Sequence, residues 1–168
     1  MSKVKRIQNR KTQAFLDKLP QISLDDADDK LTDRCKFNFH YLSNTPPSAT
    51  VSVYGATLLE KLRTFSEHSL SHWEATKHSG SANSFYLVYY DSYPTESKTK
   101  FAYPKNVPAD VRWARFILSG KQRLIGFVVP ESKHGQFHPQ TGAPFDKNTF
   151  YCVFIDLQHQ FWLVDKHQ

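Results

Sequence analysis

The chain has 168 residues, 39% hydrophobic and 14% aromatic, with a formal net charge of +6 from 22 Lys+Arg against 16 Asp+Glu. That aromatic content excludes a disordered polymer, and the length predicts one packed domain with a proper core. A basic surface favours an anionic partner (nucleic acid, an acidic protein or an acidic membrane surface), the alternative being ordinary solvated lysines.

The N-terminus is charged and polar with no apolar h-region, so no secretory signal is expected. No 18-residue apolar run occurs, so no membrane span is expected, and the cytoplasm is the expected location. Cys35 and Cys152 fall in strand-like runs and are expected to pack as small apolar side chains; there is no CxxC and no zinc-ribbon spacing.

In chain order, residues 1–34 read as a basic N-terminal helix and an acidic linker, ahead of one α+β domain over 35–168. In Lys3–Leu19, Ile7, Ala14, Phe15 and Leu19 share a stripe among lysines and arginines, and Pro20 ends the helix. It serves either as an arm for nucleic acid or a partner, or as a docked peripheral helix. Ser23–Asp33 clusters Asp25, Asp26, Asp28 and Asp29 but lacks the alternation and distal Glu of a calcium loop, so it reads as a linker. Cys35–Leu42 alternates with period 2 and predicts a half-buried strand. Ala56–Thr76 places Leu58, Leu59, Leu62, Phe65, Leu70 and Trp73 at helical spacing and predicts one long amphipathic helix. His68 and His72 sit four apart on it, but no third ligand accompanies them.

Phe85–Tyr90 predicts a strand, followed by a polar loop over Asp91–Asp110 with Lys98, Lys100 and Lys105. A loop that long is uncommon in a small domain and is often functional. Val111–Leu118, Gln122–Val129, Thr149–Asp156 and Gln160–Val164 predict the remaining strands, with Ser119-Gly120 as a hairpin turn. Ser132–Asn148 is a second polar loop carrying His134 and His138, which point either to substrate contact, to metal with His159 and Asp146, or to solvent. The fold class is therefore α+β: a single antiparallel, curled sheet of five to six strands, packed by one long amphipathic helix plus an N-terminal helix.

No Walker loop, GxGxxG, GxSxG or HExxH occurs. From Glu96 to Lys133 there are eight Lys/Arg against three acids, a basic stretch. Period 2 puts Arg115 on a face with Trp113 and Ile117, Arg112 on the other, and Arg123 with Ile125 and Phe127. A tight hairpin brings Arg112 or Arg115 near Arg123. Two adjacent arginines repel unless a phosphate or carboxylate lies between them, or they reach water or pair with Asp110, Asp156 or Asp165. His159, in the turn before the last predicted strand, is either an acid/base group or only a turn residue.

The order strand, amphipathic helix, then VRWARFIL…RLIGFVV…FYCVFIDLQHQFW resembles the RelE/ParE/HigB-type toxin scaffold of bacterial toxin–antitoxin systems over roughly 35–164. RLIGFVV and FDKNTFYCVFIDLQHQFW also resemble an uncharacterised family of bacterial mobile-element proteins. The toxin resemblance implies a metal-free and cofactor-free mRNA endoribonuclease of a toxin–antitoxin or phage-defence system. Its implied partners are RNA or the ribosome, with an antitoxin or other protein, and no membrane. The catalytic positions it implies are Arg115, Arg123 and His159. Arg112, Lys121, Lys98, Lys100, Lys105, His134 and His138 are the expected substrate contacts, with no metal ligand. The alternative is a non-enzymatic nucleic-acid- or protein-binding accessory protein of a mobile element.

Overall fold

In a computed structural model the chain divides into two compact units, Met1–Thr32 and Asp33–Gln168. The structure describes residues 31–43, 51–79 and 84–163, together with 14, 15 and 18. Ala14 and Phe15 are helical and exposed; the rest of the predicted N-terminal helix, and the aspartates 25, 26, 28 and 29, lie outside the described residues.

The second unit is α+β. Its elements run β1 (Lys36–Asn38), α1 (Val51–Phe65), α2 (Leu70–Ala75), β2 (Leu87–Tyr89), β3 (Arg112–Ser119), β4 (Gln122–Val128) and β5 (Thr149–Asp156). The five strands form one sheet in the order β1-β5-β4-β3-β2. Three neighbouring pairs are antiparallel, but β1 runs parallel to β5, with Phe37 opposite Phe150. The sheet is thus mixed, which corrects the all-antiparallel expectation. A three-residue strand carries no sequence signal for its direction, and its partner lies more than a hundred residues away.

Three other expectations change, each for a local reason. The strand predicted over Cys35–Leu42 stops at Asn38, because the Asn38 side chain accepts from His40 N at 2.9 Å and Leu42 N donates to Phe39 O. The turn breaks the alternation: Phe39 is left 46% exposed and Tyr41 joins a different core cluster from Cys35. The single long helix is two helices. Ser66 bonds back to Leu62 O, and Ser69 caps α2 by accepting from His72 N. The freed carbonyl of Phe65 accepts from Trp73 Nε1 at 2.7 Å and from Cys35 Sγ at 3.1 Å. Finally, residues 160–163 form no strand, so the sheet has five strands among the described residues; their backbone pairs with the 98–100 segment instead.

Both faces of the sheet are buried. The helices cover one face, where Ala114, Phe116, Leu118, Leu124, Phe150 and Cys152 meet Leu62, Phe65, Leu70 and Trp73. Loops cover the other: Phe101 and Val107 from the 91–110 segment and Phe161 from the chain after β5 pack on Trp113, Ile125, Phe127, Val153 and Phe154. Full burial of each such phenylalanine contributes about 1.5–3 kcal/mol, which is why a loop of polar composition holds its place. Burial also accounts for the thiols: Cys35 is pushed up to about 12 and Cys152 higher still, both by desolvation, so neither is a thiolate nucleophile.

The β4–β5 ladder shifts register between Ile125 and Gly126. A side chain at Gly126 would collide with the carbonyl oxygen of Tyr151 and come within 2.6 Å of the Phe150 ring. The obstacle is backbone in a central strand, which cannot swing aside. Gly126→Ala is expected to lower stability by about 1–3 kcal/mol in urea denaturation, whereas Gly55→Ala, which meets nothing, is expected to change it little or raise it.

Candidate functional site

The loop-covered face carries Arg115 and Arg123; the strand pairing decides that Arg115, not Arg112, shares this face with Arg123. On that face Arg115 lies opposite Ile125, and Arg123 lies between Ile117 on β3 and Asp156 on β5. The hairpin closes through Gly120 at φ 50°, a left-handed conformation that suits glycine. Arg123 folds back on this turn, its Nη1 donating to Gly120 O at 2.6 Å and to Gln122 O at 2.8 Å. Arg115 donates from Nη1 to the Tyr90 hydroxyl at 3.3 Å, and the same nitrogen lies 3.5 Å from His159 Nε2. Its guanidinium stands 5.7 Å from the Tyr90 ring centroid. The Nε atoms of both arginines are buried and find no hydrogen-bond partner among the described residues. A desolvated donor left in this way costs about 1–3 kcal/mol.

His159 reaches Arg115 through a turn built by one carboxylate. Asp156, 1% exposed at the end of β5, accepts from Gln158 N through one oxygen and from Gln160 N (2.7 Å) and Phe161 N (2.8 Å) through the other. These bonds wrap the backbone around the carboxylate and hold His159 at φ 58°, the sole non-glycine residue at positive φ among those described. Burial, then the charges of Arg123 and Arg115, push the imidazole below its ordinary pKa, with Asp156 opposing and Lys121 adding to the shift. His159 is therefore neutral at pH 7. Tyr90 shifts the other way: burial raises its pKa, against the lowering effect of Arg115, so the phenol keeps its proton.

Of the expected substrate contacts, Lys121 sits exposed in the turn beside this cluster. Backbone bonds from Lys100 N to Gln160 O (3.1 Å) and from Leu163 N to Lys98 O (2.7 Å) lay the Lys98–Lys100 segment along the chain that follows His159. Lys105 is exposed in the 104–107 turn. Arg112 lies apart, on the helix-side face, with its guanidinium 3.7 Å above the Tyr89 ring. His134 and His138 are also apart, in a small hairpin closed by the Phe137–Pro144 bridge. His138 Nδ1 accepts there from Gln140 N and Thr141 N, and its ring packs on Phe145 beside an open cleft of about 460 Å³. Among the described residues no three His, Cys, Asp or Glu side chains converge as a metal site, and no helix is long and apolar enough to cross a membrane.

Three residues of the cluster escape a reading by pattern. Tyr90 and Trp162 belong to runs that read as strand core, yet Tyr90 ends at the arginine and its ring is stacked on Trp162 at 5.1 Å and 4°. Asp156 reads as one more carboxylate for an arginine, whereas its oxygens serve the backbone. The signal for that role was the Asp-Leu-Gln-His sequence, since aspartate opens turns by binding N–H groups two or more residues ahead.

Comparison with known protein families, with curated proteins and with solved structures finds no match to this chain. Its chemistry is accordingly read from its own geometry.

Two outcomes check that geometry. Asp156→Ala strips three backbone donors of their acceptor and is expected to cost about 3 kcal/mol or more in chemical denaturation; a loss under about 1 kcal/mol would contradict the turn's role. Because Arg123 depresses the imidazole, Arg123→Gln is expected to raise the His159 pKa toward about 6.5, read by NMR titration of its ring protons.

Proposed function

We propose that the Arg115–His159–Tyr90 cluster binds a phosphodiester of RNA and cleaves it by metal-free acid–base chemistry. One observation carries the reading: a single guanidinium nitrogen touches both a neutral imidazole and a protonated phenol. Arg115 thus supplies the cation for a phosphate, and the two groups on either side of it supply a proton acceptor and a proton donor.

In the step we propose, His159 Nε2 takes the proton of a ribose 2′-hydroxyl. The oxygen attacks the adjacent phosphorus, and Arg115, with Lys121 at the turn, stabilises the added negative charge. The bond to the 5′-oxygen breaks as Tyr90 gives that oxygen its proton. The products are a 2′,3′-cyclic phosphate and a free 5′-hydroxyl, and His159 returns its proton through solvent to Tyr90. Arg123, whose Nη1 is engaged with two carbonyls, acts on the imidazole through its charge. The basic stretch from Glu96 to Lys133 provides sequence-independent attraction to the RNA backbone. In a bacterial cytoplasm such an activity fits a growth-arresting toxin of a toxin–antitoxin or phage-defence system, with an antitoxin as protein partner.

Purified protein is expected to cut single-stranded RNA in EDTA at the rate seen without it, leaving cyclic phosphate ends. His159→Ala and Tyr90→Phe are each expected to slow cleavage about 100-fold or more. Arg115→Ala is expected to weaken binding and slow cleavage together. The acid limb of kcat/KM is set by His159, which must be neutral to act; it should lie at lower pH than that of a free imidazole and move upward in Arg123→Gln. Salt-sensitive RNA binding with no strand scission would instead identify a non-enzymatic nucleic-acid-binding accessory protein.

A further inference from the structure

We infer that Trp162 seats an unpaired nucleobase next to the phosphate held by Arg115, so that the site selects single-stranded tracts. This rests on the phosphodiester reading of the same site and adds a specificity residue to it.

The chain has three tryptophans. Trp73 and Trp113 are 7% and 4% exposed and belong to the two cores. Trp162 differs, being half-buried and part of neither core cluster. Among the described residues the one ring it meets is Tyr90, on which it lies parallel at 5.1 Å. Tyr90 in turn is held by the Arg115 hydrogen bond and packs on Phe161 at 5.4 Å. The indole is thus an amphipathic plate whose tilt is preset, one ring away from the candidate phosphate-binding group.

The segment that carries it is fixed as well. Asp156 holds the backbone at Gln160 and Phe161, and the bonds to Lys98 and Lys100 clamp the chain on either side of Trp162. Those bonds bring the Lys98–Lys100 segment alongside Trp162, and Tyr90 joins the indole to Arg115. A flat aromatic beside cationic groups is the arrangement that binds single strands, whose bases stack on a ring while the backbone follows the charges. A base inside a duplex already has both faces covered by its neighbours and cannot use the plate without being unstacked.

The test uses the full chain and a non-cleavable 2′-O-methyl oligoadenylate, alone or annealed to oligouridylate, with binding read by fluorescence anisotropy. The single strand is expected to bind about tenfold more tightly than the duplex. Trp162→Leu is expected to weaken single-strand binding about tenfold with little effect on the duplex, and Trp162→Phe to retain most of it. Equal affinity for both forms, or single-strand binding unchanged in Trp162→Leu, overturns the inference. Intrinsic fluorescence of the unmodified chain gives a second readout that needs no folded variant. Titration with the single strand should quench the half-exposed indole, and an unchanged spectrum at saturation overturns the base seat. Trp162-dependent binding without strand scission would instead remove the cleavage reading and leave the base seat standing.

Discussion

The structure depends on polar clamps at the two ends of β5. At its start Asn148 accepts from Leu70 N and donates to Asp33 O through its side chain, while its carbonyl accepts from Lys36 N. One residue thereby ties the second helix and the parallel edge strand to the centre of the sheet. At its end Asp156 does the same for the segment that carries His159, Phe161 and Trp162. Hydrophobic burial alone would not choose these arrangements, because it is non-directional. The clamps supply direction. A buried carboxylate is costly to desolvate, and three N–H donors offset that cost only in one backbone geometry. Asp156 therefore specifies the turn as much as it stabilises it.

The same carboxylate shapes the electrostatics. Arg115 and Arg123 sit on one face, each with a buried Nε that finds no partner among the described residues. Asp156 is the register neighbour of Arg123, but its oxygens are occupied by backbone donors, so it offsets charge at a distance rather than closing an ion pair. The surplus positive charge has two consequences. It adds to burial, the larger cause, in lowering the pKa of His159, since a third cation beside two guanidinium groups is unfavourable. It also leaves a field that an external anion relieves. An inert fold would gain by giving Arg115 a carboxylate of its own; the neutral imidazole and phenol in that place are what favour a chemical role.

Much of the sheet is legible in the sequence, and the illegible parts share a cause. β3, β4 and β5 follow from alternation of large apolar residues and from Ser119-Gly120, because those strands are long and their pairing is local. The same alternation separates Arg112 from Arg115 on β3, but only the register of the hairpin puts Arg115 with Arg123. β1 and the helix break resist such reading because short-range polar bonds decide them: Asn38 to His40 N, Ser66 to Leu62 O, Ser69 to His72 N. The period continues through these points while the backbone does not. Tyr90 and Trp162 are invisible for another reason. An aromatic at the end of a strand-like run looks like core, and only the fold reveals which end meets an arginine.

These points bear on how the cluster comes into being. Its members lie on three separate segments: Tyr90 with the 98–100 stretch before β3, the two arginines on the β3–β4 hairpin, and His159 with Trp162 after β5. The hairpin forms from neighbours in sequence, but the other two segments are held against it by Phe101, Val107, Phe154 and Phe161 of the loop-covered core. The helix-side core is built from other residues. Weakening the loop-covered core should therefore scatter the histidine, the phenol and the arginine while leaving most of the sheet intact, because the clusters on the two faces are built from different residues. Packing on that face thus sets the geometry of the cluster: a shift of about 1 Å in Phe161 would be felt at His159, two residues away on the same clamped turn.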